Sequence, residues 1–449
     1  MAGRQDFTQG PPGRQLFAFA WPILLANFLQ VSYQLIDSLW VGNLIGADAL
    51  GAVSLSSTVL FTVLSFVIGL NNAALTILSQ QTGRKSETGM KRYLNAFVVL
   101  MSAMAAGLGL IGFAAAVPVL RLLGTPDGMM PLAASYLKIN FIGMLFLFGY
   151  NFITTVLRSV GDSKSPLYFV TAAVVLNTVL DPVFIRVFDW GIEGAAYATI
   201  VSQGGAFVIG LLYTLKKRLV PFERPSIPSL REVKDILKLG IPAGLQMSVI
   251  SAGIMAIMSV VASFGPAAVA GYGAAQRLDS LIMLPAQALG TAVNSMAGQN
   301  IGAGNWDRVG RITKYGLVYN FVAMLILAAV LFLLADFSIR LFTGDREAVG
   351  FGADYLKMIA FFYPFLGINF ILNGTVRAAG AMFQVLVLNI ISFWVLRYPF
   401  TWLLAGWFGE KGIALGMGAS FVISSLTAIL YYRYGGWRSI QAISEEENK

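Results

Sequence analysis

The chain has 449 residues, with 31 Lys and Arg residues against 22 Asp and Glu residues, and it contains neither His nor Cys. Charged residues make up 12% of it and apolar residues 57%, whereas soluble globular proteins carry roughly 25% charged residues. This composition excludes an ordinary cytosolic enzyme, a disordered chain, disulfide bonds, thiolate chemistry and imidazole chemistry.

Apolar stretches recur along the whole chain, and each is long enough to cross a bilayer, which takes about 20 mainly apolar residues as a helix. Twelve of them are predicted, covering residues 16–41, 52–79, 93–120, 131–157, 166–188, 194–215, 239–264, 274–299, 312–340, 353–376, 383–407 and 412–434. The first has no small-residue cleavage site, so we expect a retained helix rather than a signal peptide. The predicted fold is an all-α integral membrane protein with twelve transmembrane helices.

The basic residues are distributed unevenly between the two sets of loops. Most of the 31 lie in the two termini and in the loops that follow even-numbered spans, and the opposite loops hold only Arg121, Arg186, Arg340, Arg346 and Lys411. The positive-inside rule therefore predicts a multi-pass protein of the inner (plasma) membrane with both termini in the cytoplasm. Membrane topology accounts for most of the net charge of +9, and we expect no nucleic-acid partner.

The two halves of the chain resemble each other. Four short motifs recur at a shift of 219 to 221 residues: Trp21-Pro22 and Ile241-Pro242, Gln80-x-x-Gly83 and Gln299-x-x-Gly302, Arg158-x-x-Gly161 and Arg377-x-x-Gly380, Gly191-Ile192 and Gly412-Ile413. Six spans in each half give a parallel repeat, the arrangement of some secondary transporters. We predict a first lobe (1–215), a cytoplasmic basic linker (216–238) and a second lobe (239–449), with a central cavity between the lobes.

A polar stripe runs along the first span. Gln30, Tyr33, Gln34 and Asp37 are spaced i, i+3, i+4 and i+7, so they share one helical face. A charged side chain at the membrane centre costs about 2.5–3.5 kcal/mol on insertion scales, which makes Asp37 a functional candidate. The alternative is an acid near the helix end that reaches the outer interface. Tyr33, Gln34 and Gln30 are candidate substrate contacts.

The second intramembrane acid is Asp181 in span 5, with Asn177 one turn earlier on the same face. Pro182 follows and frees a backbone carbonyl, while Pro22 interrupts the hydrogen bonding of the first span. Both prolines are candidate hinges, although Pro22 also fits the ordinary start of a helix at the membrane edge. Thr199 in span 6 offers a hydroxyl to the same lobe.

The second half offers fewer candidates. Asp279 lies two residues from Arg277, and Asp354 lies near Lys357, so we expect these charges to be paired and interfacial. Met247 in span 7 is a candidate substrate contact, because methionine packs adaptably around varied ligands.

In combination, these features resemble the multidrug and toxic compound extrusion (MATE) family, and most of all its DinF-type branch. The resemblance rests on the twelve spans in two halves, on Pro22 and Asp37, and on Asn177-x-x-x-Asp181-Pro182. It implies an antiporter that exports bulky, often cationic compounds against an H⁺ or Na⁺ gradient. By position, it also implies a coupling site in the first lobe formed by Asp37, Asp181, Asn177 and Thr199. It implies nearby substrate contacts from Tyr33, Gln34, Tyr136 and Asn151.

The NorM-type branch has acids in spans 7 and 10, and the corresponding residues here are Ile250 and Leu366. A Na⁺ site in the second lobe is therefore not expected. No ATP-binding P-loop occurs in the sequence, no cofactor is expected, and the protein is not expected to be an enzyme. We expect a monomer.

The mechanistic hypothesis is that Asp37 and Asp181 share one buried site, where mutual repulsion favours retention of a proton. Protonation from outside would weaken substrate binding, and deprotonation toward the cytoplasm would restore it. The same residues, with Asn177 and Thr199, could instead bind Na⁺ through oxygen atoms alone. A flippase for lipid-linked oligosaccharides is a further alternative, which the scarcity of intramembrane basic residues disfavours.

Overall fold

The structure, a computed structural model, describes residues 5–440. All regular secondary structure in this range is helical. The helices of the first half are α1 (Pro12–Leu44), α2 (Ala47–Arg84), α3 (Glu87–Leu122), α4 (Met130–Ile142), α5 (Met144–Ser159), α6 (Lys164–Pro182) and α7 (Gly191–Lys216). Those of the second half are α8 (Leu230–Ala262), α9 (Pro266–Ile282), α10 (Leu284–Gly302), α11 (Trp306–Arg340), α12 (Arg346–Ile359), α13 (Tyr363–Ala378), α14 (Met382–Ile390), α15 (Tyr398–Phe408) and α16 (Glu410–Tyr434).

Two short π-helical segments interrupt the regular geometry. Val183–Val187 continues α6, and Ile391–Arg397 joins α14 to α15. A π-helical turn locally widens a helix and often occurs at functional sites. The first of these segments begins directly after Pro182, whose ring removes an N–H donor from the helix.

Ten helical segments within residues 5–440 are long and apolar enough to cross a membrane, and the bent pair α4 and α5 counts as an eleventh. The two helices of this pair meet at Gly143 with a bend of 51°. The eleven segments match predicted spans 1–7 and 9–12, so the prediction of an all-helical membrane protein is confirmed.

The predicted eighth span, residues 274–299, is different. This segment is helical, but the helix divides at Met283 into α9 and α10, and neither half reaches the length and apolarity of a span. Pro285 is the physical reason, because proline lacks the N–H donor that a continuous helix needs and is favoured in a first turn.

The internal repeat is visible in the backbone. Gly161 and Gly380, 219 residues apart, both follow a helix and adopt positive φ angles of 87° and 95°. The next residue in each copy closes the same turn, with Asp162 N donating to Leu157 O over 2.9 Å and Ala381 N donating over 3.3 Å. Glycine is needed at position 161, because a Cβ atom there would lie 2.3 Å from Gln5 O.

The described chain forms two compact units. Residues 5–6 and 21–241 belong to the first unit, and residues 7–20 and 242–440 belong to the second. Helix α1 therefore passes from the second unit to the first one residue before Pro22, and helix α8 passes from the first to the second immediately before Pro242.

In the first unit, the start of α8 is held by side chains of α3. Arg92 Nε donates to Glu232 Oε1 over 2.7 Å, and Tyr93 Oη donates to Asp235 Oδ2 over 2.6 Å. Glu232 and Asp235 lie one turn apart on the same face of α8, so both contacts stabilise one orientation of that helix.

In the second unit, Arg308 of α11 holds the segment that precedes α1. Its Nε donates to Phe7 O over 2.7 Å, its Nη1 to Gly10 O over 2.8 Å, and its Nη2 to Gln9 O over 2.7 Å. Asn300 Nδ2 also donates to Phe7 O over 3.0 Å. These charge-assisted bonds hold a loop that has no regular structure of its own.

Candidate functional site

The candidate site lies inside the first unit, on helices α1, α6 and α7. On α1, Asp37 is buried with 7% of its surface exposed, and Tyr33 one turn earlier is half-buried. Gln30 and Gln34, on the same stripe, are exposed. Of the predicted polar stripe, only Tyr33 and Asp37 therefore enter the protein interior.

On α6, Asn177 and Asp181 are both fully buried. Asn177 Nδ2 donates a hydrogen bond to Asp181 Oδ1 over 3.1 Å. Their i, i+4 spacing puts the two side chains on one helical face, which is why the contact forms within a single helix. The amide thus stabilises the ionised form of the carboxyl group.

On α7, Thr199 and Ser202 present buried hydroxyl groups one turn apart. Thr199 lies beside Tyr33, and Asp37 and Asp181 lie within electrostatic range of each other and of Tyr33. The structure therefore brings together the four residues predicted for the coupling site. We refer to Tyr33, Asp37, Asn177, Asp181, Thr199 and Ser202 as the acid-pair cluster.

The acid-pair cluster contains an unusual number of polar atoms without partners. Six buried oxygen atoms make no hydrogen bond within residues 5–440: Tyr33 Oη, Asp37 Oδ1, Asn177 Oδ1, Asp181 Oδ2, Thr199 Oγ1 and Ser202 Oγ. A buried polar atom without a partner is costly, so such atoms usually bind water, a proton or an ion. The geometry suits a site that takes up and releases a small cation.

The predicted substrate contacts are more dispersed. Tyr136 of α4 is buried and within electrostatic range of both Asp37 and Asp181. Asn151 of α5 is half-buried, and its Nδ2 donates to Leu147 O of its own helix over 2.8 Å. Met247 is half-buried on α8, in the second unit.

The two candidate hinges differ in their local structure. Helix α1 continues through Pro22 without a break, whereas α6 gives way to π-helical geometry after Pro182. No group of three or more Asp and Glu side chains in the described part of the chain is arranged to hold a metal ion.

The expectation for the charges of the second half is wrong. Asp279 does not pair with Arg277 but accepts hydrogen bonds from Tyr363 Oη and, over 3.3 Å, from Tyr355 Oη. Arg277 is exposed, and its guanidinium lies 5.7 Å from the centroid of the Phe342 ring. The packing of α12 against α9, and of α13 against α10, brings the tyrosines to Asp279, which no local spacing indicates.

Lys357 likewise pairs with Asp336 of α11 and not with Asp354. One further residue that sequence reasoning passed over is Arg397, a buried cation within an apolar stretch. A charged residue inside a predicted span is the signal that marks it.

The fold and site define an all-helical, multi-pass membrane protein with an internal repeat and a buried acid pair. The MatE family profile matches residues 22–183 and 242–403, one match in each half. The chain is 61% identical over 441 residues to a Bacillus subtilis (strain 168) protein named "Probable multidrug resistance protein YpnP", with 98% of this chain and 99% of that protein covered.

A second Bacillus subtilis (strain 168) relative, "Probable multidrug resistance protein YoeA", is 31% identical and covers 94% of this chain and 93% of its own length. Among solved structures, the outward-facing conformation of a multidrug resistance MATE family transporter superimposes with a TM-score of 0.91 at 23% identity, covering 96% of this chain and 97% of that one. The chain belongs to the MatE family. It is therefore a membrane transporter and not an enzyme.

Proposed function

We propose that the protein exports drug-like lipophilic cations from the cytoplasm in exchange for protons, and that the acid-pair cluster is the coupling site. The observation that carries the proposal is the set of six buried oxygen atoms without partners, two of which belong to carboxyl groups. The names of the relatives, both multidrug resistance proteins, support export of small molecules of this kind. The two acids lie on α1 and α6, and apolar residues, Ile250 and Leu366, stand where the NorM-type branch has acids. Both features favour the DinF-type branch.

Coupling follows from electrostatics. Two carboxylates buried near each other repel, and burial penalises each charge, so uptake of one proton relieves both costs. In the proposed cycle, Asp37 and Asp181 accept a proton from outside, which lowers the attraction for a cationic substrate and releases it. After the change of access, the proton leaves to the cytoplasm and the negative charge favours binding of the next cation.

Substrate contacts in this proposal come from Tyr33, Tyr136, Asn151, Gln30, Gln34 and Met247. Pro22 and Pro182 act as hinges, because each leaves a backbone carbonyl without its helical partner. In this proposal both termini lie in the cytoplasm, and the working unit is a monomer.

The driving force depends on stoichiometry. Each charge that crosses the membrane gains about 2.3 kcal/mol per 100 mV. Exchange of one proton for one monovalent cation moves no net charge, so the pH gradient alone would then drive export.

A second candidate is Na⁺ coupling at the same residues. All six partnerless atoms of the acid-pair cluster are oxygens, and hard cations prefer carboxylate, carbonyl and hydroxyl oxygen ligands. This candidate keeps the site and the direction of export but changes the ion.

Efflux of a fluorescent lipophilic cation from proteoliposomes, under an imposed pH gradient or an imposed Na⁺ gradient, tests the proposal. We expect the pH gradient to drive export by the wild type, Asp37→Asn to abolish it, and Asp48→Asn, at an exposed acid of the same unit, to leave it unchanged. Export driven only by Na⁺ would establish the second candidate. Export by Asp37→Asn at the wild-type rate would overturn the coupling site, and absence of export under both gradients would favour a lipid flippase.

A further inference from the structure

Arg397 is a buried cation of the second unit that the proposed coupling mechanism does not use. It ends the π-helical segment Ile391–Arg397, and only 6% of its surface is exposed. Its guanidinium lies 3.8 Å from the centroid of the Phe393 ring and 4.6 Å from that of Phe421. The two rings stabilise the charge, but stacked ring faces accept none of the hydrogen bonds that N–H groups in the guanidinium plane can donate.

One edge of this guanidinium is free. The Nε and Nη2 atoms of Arg397 are both buried, and neither has a hydrogen-bond partner within residues 5–440. These two N–H groups point in the same direction, and together they form the edge that binds a carboxylate or a phosphate through two parallel hydrogen bonds. Arginine stays protonated in proteins, so the group cannot escape the cost of burial by losing its charge.

The acid within electrostatic range of Arg397 does not fill this edge. Asp279 lies within electrostatic range of Arg397, but its two carboxylate oxygens accept hydrogen bonds from Tyr363 and Tyr355 instead. Asp279 therefore balances the positive charge without a direct hydrogen bond, and the Nε and Nη2 atoms have no hydrogen-bond acceptor within residues 5–440.

The internal repeat relates the position of Arg397 to a position of the acid-pair cluster. The two family matches, 22–183 and 242–403, are related by a shift of 220 residues at both ends. This shift relates Asn177 to Arg397 and Asp181 to Thr401. Thr401 is fully buried, and its Oγ1 has no hydrogen-bond partner in the described chain. The second repeat thus carries a cation and a hydroxyl where the first carries an amide and an acid.

We propose that the Nε and Nη2 edge of Arg397, with the Thr401 hydroxyl, binds the carboxylate or phosphate group of an amphipathic compound. This inference extends the proposed export function and rests on it for the transport of the bound compound. It widens the substrate class from lipophilic cations to zwitterions and acids. Their acidic group would bind a subsite in the second unit, whereas the coupling ion binds the acid-pair cluster in the first unit.

A matched pair of dyes tests the subsite by binding alone. Rhodamine 110 carries a free carboxylate, and rhodamine 123 is its methyl ester. With the protein in phosphatidylcholine nanodiscs and no gradient, Arg397→Gln is expected to weaken rhodamine 110 binding at least tenfold and to change rhodamine 123 binding less than twofold. Arg397→Lys keeps the charge but loses the two-pronged edge, so it should also weaken only the acid. Arg277→Gln, at an exposed arginine of the same unit, is the control.

Equal weakening of both dyes in a variant that still binds them, or weakening of neither dye, would overturn the subsite. Binding of the ester shows that a variant is folded, so a variant that binds neither dye is replaced by Thr401→Val. For Thr401→Val we expect weaker binding of rhodamine 110 alone. Equal weakening of both dyes would contradict the proposal. Asp37→Asn is expected to change the binding of rhodamine 110 and rhodamine 123 by the same factor, because it removes a charge that acts on the cationic part of both dyes, and this separates the subsite from the coupling site. If phosphatidylglycerol nanodiscs abolish the selective binding, a lipid headgroup occupies Arg397 and the substrate subsite is wrong.

Discussion

Asn177 donates a hydrogen bond to Asp181 over 3.1 Å, and neither side chain is exposed to solvent. The amide oxygen of Asn177 (Oδ1) and the second carboxylate oxygen of Asp181 (Oδ2) have no hydrogen-bond partner within residues 5–440. The pair therefore forms a half-satisfied polar contact inside a helical bundle. Such a contact is expensive unless a proton, a water molecule or an ion completes it.

Removal of this amide tests its role in coupling. A hydrogen bond to a charged group contributes about 1.5–3 kcal/mol, so Asn177→Ala should lower the rate of pH-driven dye export at least about tenfold. Asn43→Ala, at an exposed amide on α1 that bonds only its own helix, should leave the rate unchanged. Equal rates for the wild type and Asn177→Ala would remove Asn177 from the coupling site.

The proline at the unit boundary of α1 gives a second prediction. Pro22→Ala restores an N–H donor and stiffens the helix where it passes between the two units. We expect dye affinity at equilibrium to change less than about twofold and export to slow about tenfold, because hinge variants act on conformational steps. Pro126→Ala, in the loop before α4, is the control, and an unaltered export rate for Pro22→Ala would argue against the hinge.

The N-terminal segment gives a third prediction. Arg308→Ala removes the hydrogen bonds to the backbone of residues 7–10 in the second unit. Amide hydrogen exchange in that segment should accelerate at least about tenfold, since each charge-assisted bond contributes about 1.5–3 kcal/mol. Arg311→Ala changes an exposed arginine one turn along the same helix and should not affect exchange there. Unchanged exchange in Arg308→Ala would show that other contacts hold the segment.

The turn after α5 gives a fourth prediction. Gly161→Ala combines a left-handed backbone with a Cβ placed against Gln5 O, so we expect a loss of at least about 1–2 kcal/mol of stability. Gly304→Ala has the same kind of backbone but open space around the new Cβ, and it should cost less. Thermal unfolding of the two variants in detergent compares their stabilities. A larger loss of stability for Gly304→Ala than for Gly161→Ala would contradict the prediction.

Much of the fold follows from local sequence properties. Apolar length alone predicts eleven of the spans, because membrane burial acts on each helix separately. The contact between Asn177 and Asp181 was predictable for a similar reason, since both residues lie on one helical face. The division of α9 from α10 at Met283 was missed, because the apolar stretch continues across it.

Contacts between distant segments were not predictable. Tyr355 and Tyr363 reach Asp279 from helices that lie more than seventy residues further along the chain, and no periodicity relates them. Residues 7–20 belong to the second unit, where Arg308 and Asn300 donate to Phe7 O, and no local pattern connects these two residues to Phe7.

Proton release on substrate binding tests the central proposal most directly. In weakly buffered detergent solution near pH 7, addition of a lipophilic cation to the purified protein is predicted to release protons into the medium as the dye binds. Asp37→Asn should bind dye more weakly and, at saturating dye, without this release, and Asp48→Asn should release protons like the wild type. Saturating dye binding to the wild-type protein with no change in proton concentration would contradict proton exchange at Asp37 and Asp181.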